Sequence, residues 1–195
     1  RDAVLQVRYV SAEGALVTGG GPVVTNVTGY NLPKLMTGSL GTLGLLAEFV
    51  LRTNPIPAVS RWLQAAGADP VAALAAVHGA AEVLWDGTTT WVRLEGHGPD
   101  IDAEATALAD LAGFVETDGP PARPAHRWSL RPDEVVTFVD GHEGDALAAV
   151  GVGLAWCDTP QPPRAVSAGA EALGLRIKQN FDPTGRLNPG RKVGS

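Results

Sequence analysis

The sequence predicts an α+β fold in which antiparallel hairpins pack with a few amphipathic helices. Three observations carry that expectation. Short apolar runs recur in pairs around turn residues, at residues 4–18 and again at 82–94, the pattern of hairpins rather than of parallel crossovers. Two stretches of helical periodicity, 100–112 and 168–181, are mixed with further strand-like runs, which suits layered α+β packing. Prolines clustered at 54–57, 120–124 and 160–163 separate zones of different composition.

In order along the chain, residues 4–10 read as a strand, Ala12, Glu13 and Gly14 as a turn, and residues 15–18 as the returning strand. Gly19-Gly20-Gly21-Pro22 is a loop. Asn31 caps a single helical turn over 32–36, with Pro33 just inside it. Residues 43–53 are almost continuously apolar and are expected as a buried strand. In the middle zone Asp69 caps a helix that Pro70 opens and that runs through residue 77. Asp86-Gly87 joins strands 82–85 and 89–94. The helix over 100–112 places Ile101, Ala105, Leu108 and Leu111 on one face. Residues 127–130, 135–139 and 150–156 are further strand candidates. In the last zone a helix over 168–181 turns Leu173, Ile177 and Phe181 inward and stops at Asp182-Pro183-Thr184-Gly185, before an irregular tail.

Composition narrows the function classes. The 195 residues are 45% hydrophobic and 18% charged, the profile of an ordinary globular chain with a real core. The net charge of −6 comes without a basic run, which argues against a nucleic-acid partner. No apolar stretch approaches the ~20 residues of a membrane span. A single cysteine, Cys157, excludes an internal disulfide and any cluster built on several cysteines of this chain, and a cytoplasmic location is expected. The start at Arg1 without a signal peptide suits a fragment or a processed piece.

Residues 23–53 carry the chemistry. Gly38, Gly41 and Gly44 recur every third position, with Ser39 and Thr42 between them. Such a loop can turn sharply, and its N–H groups and hydroxyls form a donor surface for phosphate or carbonyl oxygens. Asn26 and Thr28 add donors just upstream. GxGxxG and Gly-Lys-Ser/Thr are both absent, so nicotinamide Rossmann and nucleoside-triphosphatase loops are disfavoured. On spacing alone, a Gly-rich turn with no ligand is an equal alternative.

The string Asn26-Val27-Thr28-Gly29-Tyr30-Asn31-Leu32-Pro33-Lys34-Leu35-Met36, followed by Gly38-Ser39-Leu40-Gly41-Thr42-Leu43-Gly44, closely resembles the KNVTGYDLPKL…GSLGTLG signature of FAD-dependent oxidoreductases. Those are the enzymes of the vanillyl-alcohol oxidase and p-cresol methylhydroxylase (PCMH-type) superfamily. The Asn-Val-Thr-Gly-Tyr form is most similar to the glycolate oxidase FAD-binding E subunits within it. Residues 181–190, FDPTGRLNPG, resemble the C-terminal FDPxGxxNPGR of the same family. The two signatures cover roughly forty positions. Asn31 stands where the family usually has Asp, and Thr25 where it often has Lys, and both changes alter the local charge.

The resemblance implies a C-terminal part of a PCMH-type FAD-binding domain over 1–55. It further implies an α/β cap domain with an antiparallel sheet over 56–165, and a segment over 166–195 that returns to the flavin site. It implies FAD as cofactor, lined by Gly29, Gly38, Ser39, Gly41, Thr42 and Gly44 mainly through backbone, with Asn26 and Thr28 upstream. Leu45 and Leu46 would lie by the adenine, and Asn188 near the flavin ring. The family's pyrophosphate-binding loop belongs to an earlier subdomain, so about 150 residues of a parent chain are expected beyond this sequence, and the fragment alone is not expected to be active. The implied activity is hydride transfer from a small 2-hydroxy acid, such as glycolate or lactate, to flavin. Electrons would pass to a partner, with a second flavoprotein subunit and an iron–sulfur subunit as companions. The alternative is a non-catalytic flavin-binding or assembly subunit, because no convincing general base stands out.

Other residues receive plainer readings. His142, Glu143 and Asp145 cluster in sequence, but the flanking Gly141 and Gly144 favour a solvated loop, and no metal is expected. His78, His97 and His126 are scattered, at surface or boundary positions. Cys157 is expected as a small buried hydrophobe. Trp62, Trp85, Trp91, Trp128 and Trp156 are expected in core or cap packing. Arg127 and Arg131 have the fork geometry for a carboxylate, but are read as surface arginines.

Overall fold

The computed structural model describes residues 2–23, 30–163 and 165–191. The chain forms two compact units, Arg1–Pro55 with Arg164–Ser195, and Ile56–Pro163. The first unit holds β1 (Val4–Val10), β2 (Leu16–Gly20), α1 (Leu32–Met36) and β3 (Leu45–Leu51). The second holds β4 (Val59–Ala66), α2 (Pro70–Ala76), β5 (Ala80–Trp85), β6 (Thr89–Gly96), α3 (Gly98–Ala112), β7 (Val115–Thr117), β8 (His126–Ser129), α4 (Val135–Asp140), β9 (Ala146–Ala149) and β10 (Leu154–Cys157). The chain then re-enters the first unit with α5 (Ala168–Phe181).

In the first unit three antiparallel strands lie in the order β2-β1-β3. The β1–β2 turn closes because Gly14 takes φ +84 and the Ser11 N–H donates to Ala15 O at 2.9 Å. Alternation along β1 sends Val7 and Tyr9 to one face, where they are buried with Met36 of α1 and Leu43. Ile177 and Phe181 of α5 pack around this cluster with Val4, Val17, Leu35 and Leu46. Helix α1 starts where expected, the Asn31 Oδ1 accepting from the Lys34 N–H at 3.0 Å.

Two expectations for this unit are corrected. The apolar run 43–53 is not a buried strand: only 45–51 is strand, it lies at the sheet edge, and Leu45, Phe49 and Leu51 are each more than half exposed. A run that is apolar on both faces is buried only when both faces are covered, and among the described residues only one is. In α5, Leu173 is exposed at 56%, and the inward face falls on Ile177 and Phe181.

The second unit is one seven-stranded antiparallel sheet in the order β7-β4-β6-β5-β9-β10-β8. One face of the sheet packs with α2, α3 and α4. Val83, Trp85, Val92, Leu94, Ala148 and Cys157 from the strands meet Ala73, Ile101, Leu108, Val135 and Val139 from the helices. The opposite face carries a smaller cluster of Leu84, Trp91, Leu147 and Ala149, with Trp62, Leu154 and Trp156 beside it, and among the described residues no helical one joins it. Helix α2 is capped by Asp69, whose Oδ1 accepts from Val71 and Ala72 N–H at 2.8 and 3.3 Å. Helix α3 ends at Gly113, left-handed at φ +67.

Further corrections concern this unit. Residues 135–139, expected as a strand, form α4. Val135 and Val139, four apart, are both buried, and the Arg131 N–H bonded to Glu134 Oε2 at 3.1 Å closes the turn that precedes the helix. In the stretch 150–156 the strand starts only at Leu154. Gly151 and Gly153, at φ +85 and +73, turn the chain there, so β9 and β10 pair as a hairpin. Leu111, expected on the inner face of α3, is 47% exposed. No helix among the described residues is long and apolar enough to cross a membrane.

Candidate functional site

The glycine loop lies between α1 and β3, pinned at both ends by buried Met36 and Leu43. Three of its residues are left-handed: Gly38 at φ +85, Leu40 at φ +52 and Gly41 at φ +75. Leucine rarely adopts that conformation, and backbone strain of this kind clusters where the surrounding structure enforces it for a task. Within the loop the Ser39 N–H donates to Met36 O at 3.1 Å. The Thr42 N–H and hydroxyl both donate to Ser39 O, at 3.0 and 2.6 Å. The N–H groups of Gly38, Leu40 and Gly41 have no backbone acceptor among the described residues. A Cβ added at Gly38 or Gly41 would meet nothing within 4 Å, so open space lies beside both.

The C-terminal tail folds onto this loop through a buried ion pair. Asp182, which caps the end of α5, is 3% exposed. Its carboxylate accepts from Lys178 Nζ at 2.6 Å, from the Leu187 N–H at 2.8 Å and from the Arg186 N–H at 3.0 Å. Burial pushes the Asp182 carboxyl up, but the Lys178, Leu187 and Arg186 bonds together prevail and hold its pKa down to about 2. Lys178 Nζ donates in addition to Thr42 O at 2.8 Å and to Leu187 O at 2.6 Å. All three ammonium protons are thereby used, and α5, the glycine loop and the tail are joined at one atom. Asn188, left-handed at φ +43, donates from Nδ2 to Leu40 O at 2.7 Å, so the two non-glycine residues with positive φ among the described residues are bonded to each other.

Beside this junction is a groove of about 510 Å³ lined by Gly41, Gly44, Leu45, Leu46, Arg186, Leu187 and Asn188. Of the residues singled out in the sequence, Gly41, Gly44, Leu45, Leu46 and Asn188 are brought together on its walls. Gly38, Ser39 and Thr42 belong to the same loop but not to the groove wall, and Asn26, Thr28 and Gly29 lie outside the described residues. The Thr42 hydroxyl is wholly buried and held inside the loop, so it is not a free donor. Ser39 differs: its Oγ is buried with no hydrogen-bond partner among the described residues, a costly state for a hydroxyl. Lys178 was not singled out in the sequence, and Asp182, Arg186 and Leu187 entered there only as part of the C-terminal signature, without a site role. The four-residue spacing of Lys178 and Asp182 was the available signal.

Gly44 serves packing as well as the groove. A Cβ there would run into the Tyr9 ring, and burial of Tyr9 also pushes its phenol pKa up. Gly44→Ala is therefore expected to destabilise the first unit by about 1–3 kcal/mol, an overpacking cost. Faster amide hydrogen exchange along Val4–Val10 and Leu45–Leu51 would show it.

In the second unit His142 is not the solvated loop residue expected. It is stacked on Phe138 and its Nε2 lies 3.0 Å from Asp158 Oδ1, while Glu143 and Asp145 are exposed. Arg127 is exposed and Arg131 pairs with Asp133.

Comparison with known proteins adds homology. The chain is 26% identical to glycolate oxidase subunit GlcE of Escherichia coli (strain K12), over 98% of this chain and 65% of that protein. It is 37% identical to glycolate oxidase subunit GlcD of Bacillus subtilis (strain 168), over 33% of this chain and 14% of that protein. It is 36% identical to a D-lactate dehydrogenase of Archaeoglobus fulgidus, over 28% and 12%. The chain thus spans about two thirds of the length of the GlcE subunit. No protein-family model matches it. Its fold is similar to that of alkyldihydroxyacetonephosphate synthase, at a TM-score of 0.56 and 16% identity, over 96% of this chain and 51% of that one.

Proposed function

We propose, from homology to glycolate oxidase subunits, that the chain belongs to the FAD-binding subunit of an oxidoreductase acting on a small 2-hydroxy acid of the glycolate or lactate kind. Electrons would pass to partner subunits, a second flavoprotein and an iron–sulfur protein. The observation that carries this reading is the junction of residues 38–44 with 182–188 beside the groove lined by Gly41, Gly44, Leu45, Leu46 and Asn188. The first unit is then the flavin side and Ile56–Pro163 the cap.

The residues present fit part of an FAD. Main-chain N–H groups of Gly38, Leu40 and Gly41, which have no backbone acceptor among the described residues, can donate to phosphate or carbonyl oxygens. Arg186 stands exposed on the groove rim, where its charge favours an anionic ligand. Leu45 and Leu46 give an apolar wall for an adenine ring. Asn188, bonded to Leu40 O, lines the same groove. Asn26, Thr28 and Gly29 are proposed to complete the donor set. The bound flavin would supply the hydride acceptor, and the protein's part is to hold and orient it.

A second reading, a flavin-bearing or assembly subunit whose companion does the chemistry, is favoured by one observation. Among the described residues, none that lines the groove is a carboxylate or an imidazole that could take a proton. The test is anaerobic mixing of the intact parent protein with glycolate or D-lactate, alone and with its companion subunits. Bleaching of the visible flavin band in the parent alone is expected for the enzyme. Bleaching only with the companions supports the assembly role, and no bleaching in either sinks the 2-hydroxy-acid reading.

A further inference from the structure

We propose that His142, Cys157 and Asp158 form a site for one zinc ion in the second unit. Their ligand atoms all lie within 4.8 Å of one another. They come from two elements: His142 follows α4, its N–H donating to Val139 O at 3.1 Å, while Cys157 ends β10 and Asp158 comes next. Glu143 and Asp145, the neighbours of His142 in sequence, are not members.

The set is matched to a borderline-soft divalent ion. Thiolate, imidazole and carboxylate are the ligands zinc takes, at about 2.0–2.3 Å. In a tetrahedron such bonds separate ligand atoms by roughly 3.3–3.8 Å, so closing the present set requires a movement of about 1 Å. The geometry is prepared. The Phe138 ring stacks on His142, with centroids 5.4 Å apart, and fixes the imidazole plane. Gly144 leaves room for the carboxylate, since a Cβ there would come within 2.9 Å of Asp158 Oδ2.

Metal binding breaks the Cys157 S–H bond, forms a sulfur–zinc bond and releases the proton to solvent; the His142 Nε2–Asp158 Oδ1 hydrogen bond is given up, the neutral imidazole binding zinc through Nε2 and keeping its one proton on Nδ1. The thiol now donates to Thr159 O at 3.2 Å, but that carbonyl also accepts from Trp128 Nε1 at 2.7 Å and so keeps a partner. The Thr159 hydroxyl, 3.6 Å from Sγ, can donate to the thiolate. Asp158 also lines a cavity of about 590 Å³ with Gly144 and Asp145, which leaves room on the Asp158 side for a fourth ligand.

The experiment is titration of the chelator-treated 195-residue chain with Co²⁺ and, separately, Zn²⁺. We expect one Co²⁺ per chain, an intense sulfur-to-cobalt absorption, and displacement by zinc. Cys157→Ser should abolish the absorption, and His142→Ala and Asp158→Ala should each weaken zinc binding by at least about tenfold. Because Cys157 is buried and its variant can misfold, the absorption in the unaltered chain and the His142 and Asp158 variants, each checked for an intact thermal transition, decide the matter. Glu143→Gln should leave binding unchanged. No binding, binding without the sulfur band, or undiminished binding in the His142 and Asp158 variants overturns the site and leaves an ordinary histidine–aspartate pair.

Discussion

Replacing Lys178 by methionine is expected to cost the first unit about 2–4 kcal/mol, and to loosen the glycine loop and the C-terminal tail together. The ammonium is mostly buried, its side chain 19% exposed, and it donates to Thr42 O, Leu187 O and Asp182 Oδ2 at once. Methionine fills similar volume but leaves two carbonyls without their donor and a buried carboxylate without its cation, and breaking such a pair costs more than the pair itself contributes. Arginine is expected not to rescue, because a planar fork does not reproduce the three directions of an ammonium. All five tryptophans belong to the second unit, so fluorescence is blind to this change. Amide exchange at residues 38–44 and 186–191 is the measurement. Unchanged protection in both segments would show that the junction is not held by this atom.

The same junction predicts an acid dependence. The Asp182 carboxyl titrates at about 2 in the fold, below the ordinary carboxylate value it has in the unfolded chain. A depressed folded pKa stabilises above the unfolded value, and that stabilisation is lost as pH falls from about 4 through about 2. Protection at 38–44 should fall over that window in the unaltered chain and become insensitive to it in Asp182→Asn.

Truncation of Leu108 to alanine should have the largest effect in the second unit, about 2–5 kcal/mol. Leu108 is fully buried on the face of α3 that packs against the sheet, in one cluster with Ile101, Leu94 and Phe114. Its removal leaves a cavity that a sheet-backed core cannot collapse to fill. Urea unfolding followed by tryptophan fluorescence measures it. Leu111→Ala on the same helix is the control, with an effect under about 0.5 kcal/mol expected for a half-exposed side chain. Equal effects at both positions would contradict the packing described.

Comparing elements shows where local information sufficed. Helix α2 was legible because Asp69-Pro70 both caps and opens it, interactions that lie within three residues. The helix at Val135–Asp140 was not. Its β-branched residues favour a strand locally, and the decision fell to the burial of Val135 and Val139 in a core shared with Ala146, Ala148 and Cys157, which come later in the chain. Strand β9, Ala-Leu-Ala-Ala, carries almost no strand signal of its own and is fully buried between β5 and β10.

The sequence by itself determined the mixed α+β class, the caps, the tight loop around Gly38 and Gly41, and the resemblance that led to flavin, because each of these is written in neighbouring residues. Only the tertiary structure decided what that loop touches. Lys178 meets Thr42 across 136 positions, and Asn188 meets Leu40 across 148. His142 likewise finds Asp158, and not its sequence neighbours Glu143 and Asp145. The physical reason is plainest at Lys178: a largely buried charge needs partners, and folding can bring them from anywhere in the chain.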